Sequence, residues 1–236
     1  MAGRFERRSR TPAPSESTEM TKLKCLNDQV ELIVHTRMLA HHSRRFRYEL
    51  NSRATGRHTH PIRIPGNILS STVQLFVDWV YMRGIGRMVG FYDKFTMKHN
   101  SYDFFKGWVF GNYLKAPSFQ NDMVRYIIRD RSGYRFVHNM TLHLSDIPLG
   151  SALETLVLDL VCQNLLSLEH DKMMSELNRL DSVIIQKAMH LLLQNMNRRN
   201  MEESKSLTRG NNVFSWKIGG IDQYTVEEEE YKEESE

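Results

Sequence analysis

Ten histidines, two cysteines and twenty-eight carboxylates are the residues of this 236-residue chain from which a reaction centre could be built. Their spacing argues against one. His41 and His42 are adjacent, so on a helix they point about 100° apart and cannot share a metal on one face. His58 and His60 are nearer a ligand spacing for a strand or loop. A zinc centre takes about four such ligands, and neither Cys25 nor Cys162 lies close to this pair in sequence. No His-Glu-x-x-His and no Gly-x-Ser-x-Gly occurs. Gly84-Ile85-Gly86-Arg87-Met88-Val89-Gly90 is glycine-rich, but it follows a helical pattern and lacks the strand–turn–helix context of a phosphate cradle. It reads as a helix stop and a loop. The acids are dispersed, and none pairs up for general acid–base work. The sequence therefore predicts no catalytic residue, no metal and no cofactor, and a protein that is not an enzyme.

The elements that would carry any site are clearer. Phe104, Phe105, Trp108 and Val109 share one face at helical period. With Phe110 and Tyr113 nearby, this is a core pattern rather than a platform for stacking bases. Ala116-Pro117 ends that helix, because the residue before proline is driven out of the helical region. Ser118 is then expected as the N-cap of a second helix carrying Phe119, Met123, Tyr126 and Ile127. Two helices joined this tightly must pack on each other, and the rest of the chain is built around that hairpin.

Upstream, Lys22–Leu26 and Gln29–Val34 flank Asn27-Asp28, a turn pair, and predict a β-hairpin. His35–Leu50 follows as one expected helix, with Met38, Leu39, His42, Phe46 and Leu50 on one face. Pro61-Ile62-Arg63-Ile64-Pro65 alternates between two prolines, which suits a short edge strand. Ser71-Thr72-Val73-Gln74 has the form of a capping box, ahead of Val73, Phe76, Val77 and Val80 at helical spacing. Downstream, a second such box, Ser151 to Glu154, opens a helix bearing Leu153, Leu156, Val157, Leu160, Val161, Leu165 and Leu168. Met173, Leu177, Leu180, Ile184, Ala188 and Leu191 continue the pattern. Their band is wide enough to be either internal core or a face for another chain. Phe214-Ser215-Trp216-Lys217-Ile218 is an apolar island in a polar tail.

Composition narrows the class. Apolar residues are 40% and charged residues 25%, as in a globular protein with polar ends. No apolar run reaches the roughly 20 residues of a membrane span. The first residues lack the apolar core of a secretory signal, so two distant cysteines predict reduced thiols in the cytoplasm or nucleus. The net charge of +4 hides an asymmetry. His35–Arg63 holds seven arginines and one acid, Glu49, whereas Glu227–Glu236 holds seven glutamates and one lysine, Lys232. The basic stretch reads first as a solvated helix face and loop, and second as a surface for nucleic acid.

One ordered series of motifs points further. His35-x-x-x-Leu39-x-x-x-Ser43-x-x-Phe46-Arg47 resembles the segment after the first hairpin of BTB/POZ domains, where a histidine leads a helix ending in a serine and an aromatic. Ile62-x-Ile64-Pro65, then Phe76-Val77-x-Trp79-Val80-Tyr81-x-x-Gly84, is similar to that family's third strand and the helix after it. Leu114-Lys115-Ala116-Pro117-Ser118-Phe119-Gln120-Asn121 resembles the helical-hairpin junction of fungal members, and Gly150-Ser151-Ala152-Leu153 the start of their C-terminal extension. The chain departs from the family at Asn27-Asp28, where a glycine is usual, and at Arg87–Asn100, which has no counterpart.

The resemblance implies an α+β fold, a small sheet with helical hairpins over residues 20–130. A helical extension over 131–200 follows, with a disordered tail at 1–19 and a mostly disordered acidic tail at 201–236. It implies a non-catalytic interaction module that homodimerises and serves as a substrate adaptor for a cullin-type ubiquitin ligase. Its contacts would be Met38, His42 and Arg45 on the first helix and Tyr92 and Phe95 in the loop after the glycines. The alternative function is association with nucleic acid or chromatin through the basic stretch 37–63; no membrane partner is expected.

Overall fold

The computed structural model describes residues 19–54, 60–84, 99, 101–129, 147–178, 180–203 and 221–226. The chain is mixed α+β, with one three-stranded sheet and eight α-helices among the described residues. It divides into two compact units, Met1–Tyr126 with Val226–Glu236, and Ile127–Thr225. No helix among the described residues is long and apolar enough to cross a membrane.

In the first unit, β1 (Met20–Cys25) and β2 (Glu31–His35) pair as an antiparallel hairpin. Its turn is wider than the pair Asn27-Asp28. Gln29 sits in the left-handed region at φ 60°, which cannot continue a strand, so β2 starts at Glu31 rather than Gln29. The Asp28 carboxylate accepts from the Val30 N–H at 3.3 Å, and the Gln29 side-chain amide donates to the Leu26 carbonyl at 3.0 Å. β3 (Ile62–Ile64) lies parallel to β1 on its other side, giving the order β2-β1-β3. The period of two then sends Leu23, Cys25, Val34, Ile62 and Ile64 inward, all fully buried, while Lys22, Ile33 and Arg63 face out.

A parallel partner needs a crossover, supplied by α1 (Thr36–His42) and α2 (Arg44–Ala54). The single helix expected over His35–Leu50 is thus two. Ser43 breaks it, with an extended backbone at φ −139° and ψ 121°. Its hydroxyl accepts from the Phe46 N–H at 3.1 Å and its carbonyl from the Arg47 N–H at 3.0 Å, so it caps α2. α3 (Ser70–Gly84) also begins differently from expectation. The Gln74 amide donates forward to Asp78 at 2.6 Å, so no capping box forms with Ser71. The first turn is held from outside instead, by the Ser70 hydroxyl donating to the Asp28 carboxylate.

α4 (Ser101–Leu114) and α5 (Pro117–Arg129) form the aromatic hairpin. Pro117, not Ser118, opens α5. Proline's fixed φ suits the first helical position and its missing N–H is not needed there, so Ala116 becomes the cap residue and its carbonyl accepts from Gln120 at 3.1 Å. The chain reverses at Lys115, at φ 53°. Gly111 permits the close approach that follows, because a Cβ there would lie 2.7 Å from the Gln120 Cγ and 3.0 Å from the Phe119 ring. Phe76 sits at the centre of the core. The rings of Phe46, Trp79, Phe110 and Phe119 surround it at 5.1–6.0 Å between centroids. Val226 joins this unit through the buried side chain of Asn121, donating its N–H at 2.6 Å and accepting at 3.0 Å.

The second unit is helical: α6 (Ala152–Ser167), α7 (His170–Leu177) and α8 (Ser182–Glu203). Of the capping box read at Ser151, one half forms: the Ser151 hydroxyl accepts from the Glu154 N–H at 3.3 Å, while the Glu154 carboxylate reaches one residue further back, to the Gly150 N–H at 2.5 Å, because the Ser151 N–H donates to the Pro148 carbonyl. Lys187 of α8 donates to the same carboxylate at 2.5 Å and, with Gly150, holds it below its ordinary range, against the opposing effect of burial. A single 3-10 turn, Ile221–Tyr224, packs its tyrosine wholly inside this unit.

Candidate interaction surface

The residues that carry the family resemblance are joints. The Tyr81 hydroxyl accepts from the His35 N–H at 3.1 Å and lies 2.8 Å from that residue's Nδ1, tying the end of β2 to α3. The Ser43 hydroxyl donates to the Leu114 carbonyl at 2.7 Å, and the Arg44 N–H to the Lys115 carbonyl at 3.4 Å. The break between α1 and α2 is therefore pinned to the reversal between α4 and α5. Arg47 folds back along α1, donating to the carbonyls of Ala40 at 2.9 Å and His41 at 3.3 Å. Ser43→Ala should cost about 1–3 kcal/mol, since it removes a cap and leaves a buried carbonyl unsatisfied. A urea denaturation midpoint equal to that of the native chain would show that the hydroxyl is not holding this joint.

The expected contact residues do not form one patch. Met38 is 1% exposed and belongs to the interior, because the break at Ser43 turns α1 onto the sheet and α3. His42 is partly exposed, and its ring meets the edge of Trp79 at 4.9 Å and of His41 at 4.7 Å. Arg45 lies on α2 rather than on α1, exposed, with its guanidinium 3.8 Å above the Tyr113 ring. Tyr48, 79% exposed, is one turn further along α2. Tyr92 and Phe95 lie outside the described residues.

His42 has an unusual environment. Its Nε2 is buried with no hydrogen-bond partner. Burial first, then His41 and Arg83, push its pKa down to about 3, with only Asp122 opposing. The ring is therefore a neutral filler at neutral pH. Burial likewise lowers His41, helped by Arg47 and Arg37.

Beside His42 lies a polar knot that sequence spacing did not flag. Asp122 of α5 accepts from the Trp79 indole at 3.0 Å, from Arg83 at 2.6 and 3.0 Å, and from Arg125 at 2.6 Å. The guanidinium of Arg83 also stands 5.3 Å from the Trp79 ring. Three of these bonds fall on Oδ2 and one on Oδ1, so the aspartate is committed to charge-assisted bonds that fix α3 against α5. Only the Asp122–Arg125 spacing of three was visible in advance, and such pairs are common on helix surfaces.

Among the described residues, no three His, Cys, Asp or Glu side chains converge as a metal would require. His60 is exposed, and His58 lies outside the described residues. Cys25 and Cys162 are free, buried thiols. Burial, with Asp159 nearby, pushes the Cys162 thiol up to about 12, so it is a packing residue rather than a nucleophile. Among the described residues, the first unit presents outward β2 as an end strand of the sheet, with Ile33 57% exposed on its outer face, and the arginine- and tyrosine-bearing side of α2. No family model matches the chain, and comparison with curated proteins and with solved structures finds no match.

Proposed function

We propose that the first unit is a BTB/POZ-like module whose work is non-catalytic protein–protein interaction. It homodimerises and acts as a substrate adaptor for a cullin-type ubiquitin ligase, in the cytoplasm or nucleus. The observation that supports this reading is the placement of the motif residues. His35, Ser43, Phe46, Tyr81 and the Leu114–Pro117 reversal, each noted for its resemblance, are the joints of a hairpin, helical pair, third strand, long helix and helical hairpin in that order. Residues spent on such joints need no reaction to account for them. An end strand of a sheet and an exposed helix side are the usual means of taking another chain.

The nucleic-acid reading is weaker, because two of the arginines in the basic stretch have structural work. Arg47 is bound to α1 carbonyls and Arg45 is stacked on Tyr113. Light scattering of the full chain across the micromolar range should give the mass of two copies. A single-copy mass throughout would remove the dimer. Recovery of a cullin on co-purification is expected of the adaptor role, and its repeated absence would remove that role alone.

A further inference from the structure

We infer that the cations Arg37, Arg47, Arg44 and Lys115, around the break between α1 and α2, form a docking surface for a glutamate-rich segment, and that the chain's own acidic stretch 227–236 is the segment that occupies it. The inference concerns charge in the first unit and does not rest on the dimer or adaptor proposed above.

The four cations follow one another around the break. Arg37 stands one turn before His41 on α1. The Arg47 guanidinium donates to the His41 carbonyl at 3.3 Å. Arg44 is one turn before Arg47 on α2, and its N–H donates to the Lys115 carbonyl at the reversal between α4 and α5. Arg37, Arg44 and Lys115 are exposed. α1 and α2 together carry one acid, Glu49, and its charge acts on Tyr113, beside Arg45. The field of the stripe is felt at His41, whose pKa is lowered first by burial and then by Arg47 and Arg37. Like charges gathered in this way repel one another, and a counter-charge laid along them offsets that repulsion.

The acidic stretch is tethered close by. Val226, the residue before it, is held through both its N–H and its carbonyl by the buried Asn121 side chain, so the stretch leaves the fold at α5. Both the anchor and the stretch belong to the first unit. Only six residues, most of them helical, lead from Lys115 to Asn121, which places Lys115 within about 20 Å of Val226. The ten residues of the stretch reach about 33–36 Å when extended, and they bring seven glutamates and one lysine. Asp122, the acid next to the anchor, is neutralised by Arg83 and Arg125. So short a tether gives an effective concentration on the order of millimolar, at which individually weak ion pairs suffice. Any other polyanion meets the stripe only against this competitor.

Lys115 makes the contact measurable, since a carbodiimide joins a carboxylate to a lysine amine only where the two meet. The full chain, mixed as isotopically heavy and light copies, is cross-linked and digested. Lys115 should couple to glutamates of 227–236 in higher yield than does the exposed Lys22 of the sheet, and within copies of one label. Raising the salt from about 0.01 M to about 1 M, which shortens the screening length from about 30 Å to about 3 Å, should lower that yield several-fold. Arg37→Gln with Arg44→Gln leaves the reporting lysine in place and should lower it about three- to tenfold, the worth of two exposed charge pairs. The salt series uses the native chain and decides the question if that variant does not fold. Equal coupling to Lys115 and Lys22, a yield indifferent to salt, or heavy–light products in place of single-label ones would overturn the assignment, the last by giving the surface to a second copy.

Discussion

Phe119→Ala is expected to remove about 3–5 kcal/mol of stability, the range for deleting a fully buried aromatic side chain. A domain holds only about 5–15 kcal/mol in total, so much of the population should unfold in mild denaturant. The ring is 0% exposed and meets Phe76 edge-on at 5.1 Å and Trp79 at 5.0 Å. It also stands against Gly111, where α4 comes so close that a Cβ would lie 3.0 Å from the ring. That geometry limits collapse. α4 is already so near that a Cβ at Gly111 would lie 2.7 Å from the Gln120 Cγ, which leaves the helices little room to close over the space left by the ring. The measurement is the urea midpoint of the full chain, with Tyr48→Ala as the comparison. Tyr48 is 79% exposed, and its loss should change stability by no more than about 0.5 kcal/mol. Equal shifts for the two variants would contradict the placement of Phe119 at the centre of the unit.

Acidification from pH 7 to pH 5 should weaken the first unit, with His42 responsible for most of the loss. Its ring titrates at about 3 in the folded chain, against an ordinary value of 6.5. The folded value is depressed, so the unfolded chain takes up the proton first. The stability tied to the neutral ring is complete above pH 6.5 and is lost as the pH falls toward 3. At about 1.4 kcal/mol per pH unit, the loss reaches up to about 2 kcal/mol by pH 5. His41 is shifted in the same direction and adds to it. Glu154, held low, loses its contribution only below the ordinary carboxylate range. Asp159, raised by burial, binds its proton more readily in the folded state, so acid favours folding through that group and it cannot cause the loss. His42→Gln fills a similar volume without a titrating ring. It should shrink the difference between the denaturation midpoints at pH 7 and pH 5 by more than half; an undiminished difference would clear His42 of responsibility.

The strongly periodic segments were readable in the sequence because their periodicity is itself the cause of burial. Phe76, Trp79, Phe104, Trp108, Phe119 and Met123 are all interior, and Ile62–Ile64 between two prolines is an edge strand. The starts of helices were harder, since several residues compete for the same role. Ser43 has the spacing of a helical interior but caps the next helix, because its hydroxyl can serve Phe46 and Leu114 together. Ser118 looked like a cap beside Pro117, yet proline's rigid backbone settled the matter one residue earlier. Ser71 and Gln74 have the right spacing for a box, but the Gln74 side chain turns forward to donate to Asp78, which carries its carbonyl oxygen away from the Ser71 N–H. The Asp122 knot was invisible for another reason. Its donors, Trp79 and Arg83, lie 43 and 39 residues away, and no local pattern carries such a distance. Asp159 and Tyr224, 65 residues apart, are hidden in the same way.

The strand order has a consequence for how the chain matures. β1 is the middle strand and emerges from the ribosome first, yet its parallel neighbour Ile62–Ile64 follows only after the whole of α1 and α2. At the ~5–20 residues per second of synthesis, the roughly forty intervening residues leave one side of β1 bare for about two to eight seconds. A nascent hairpin in that state is a template for any passing strand. Early docking of α1 over the inward side of Leu23 and Val34 would shorten the interval in which translation speed, rather than final stability, decides the yield of folded protein.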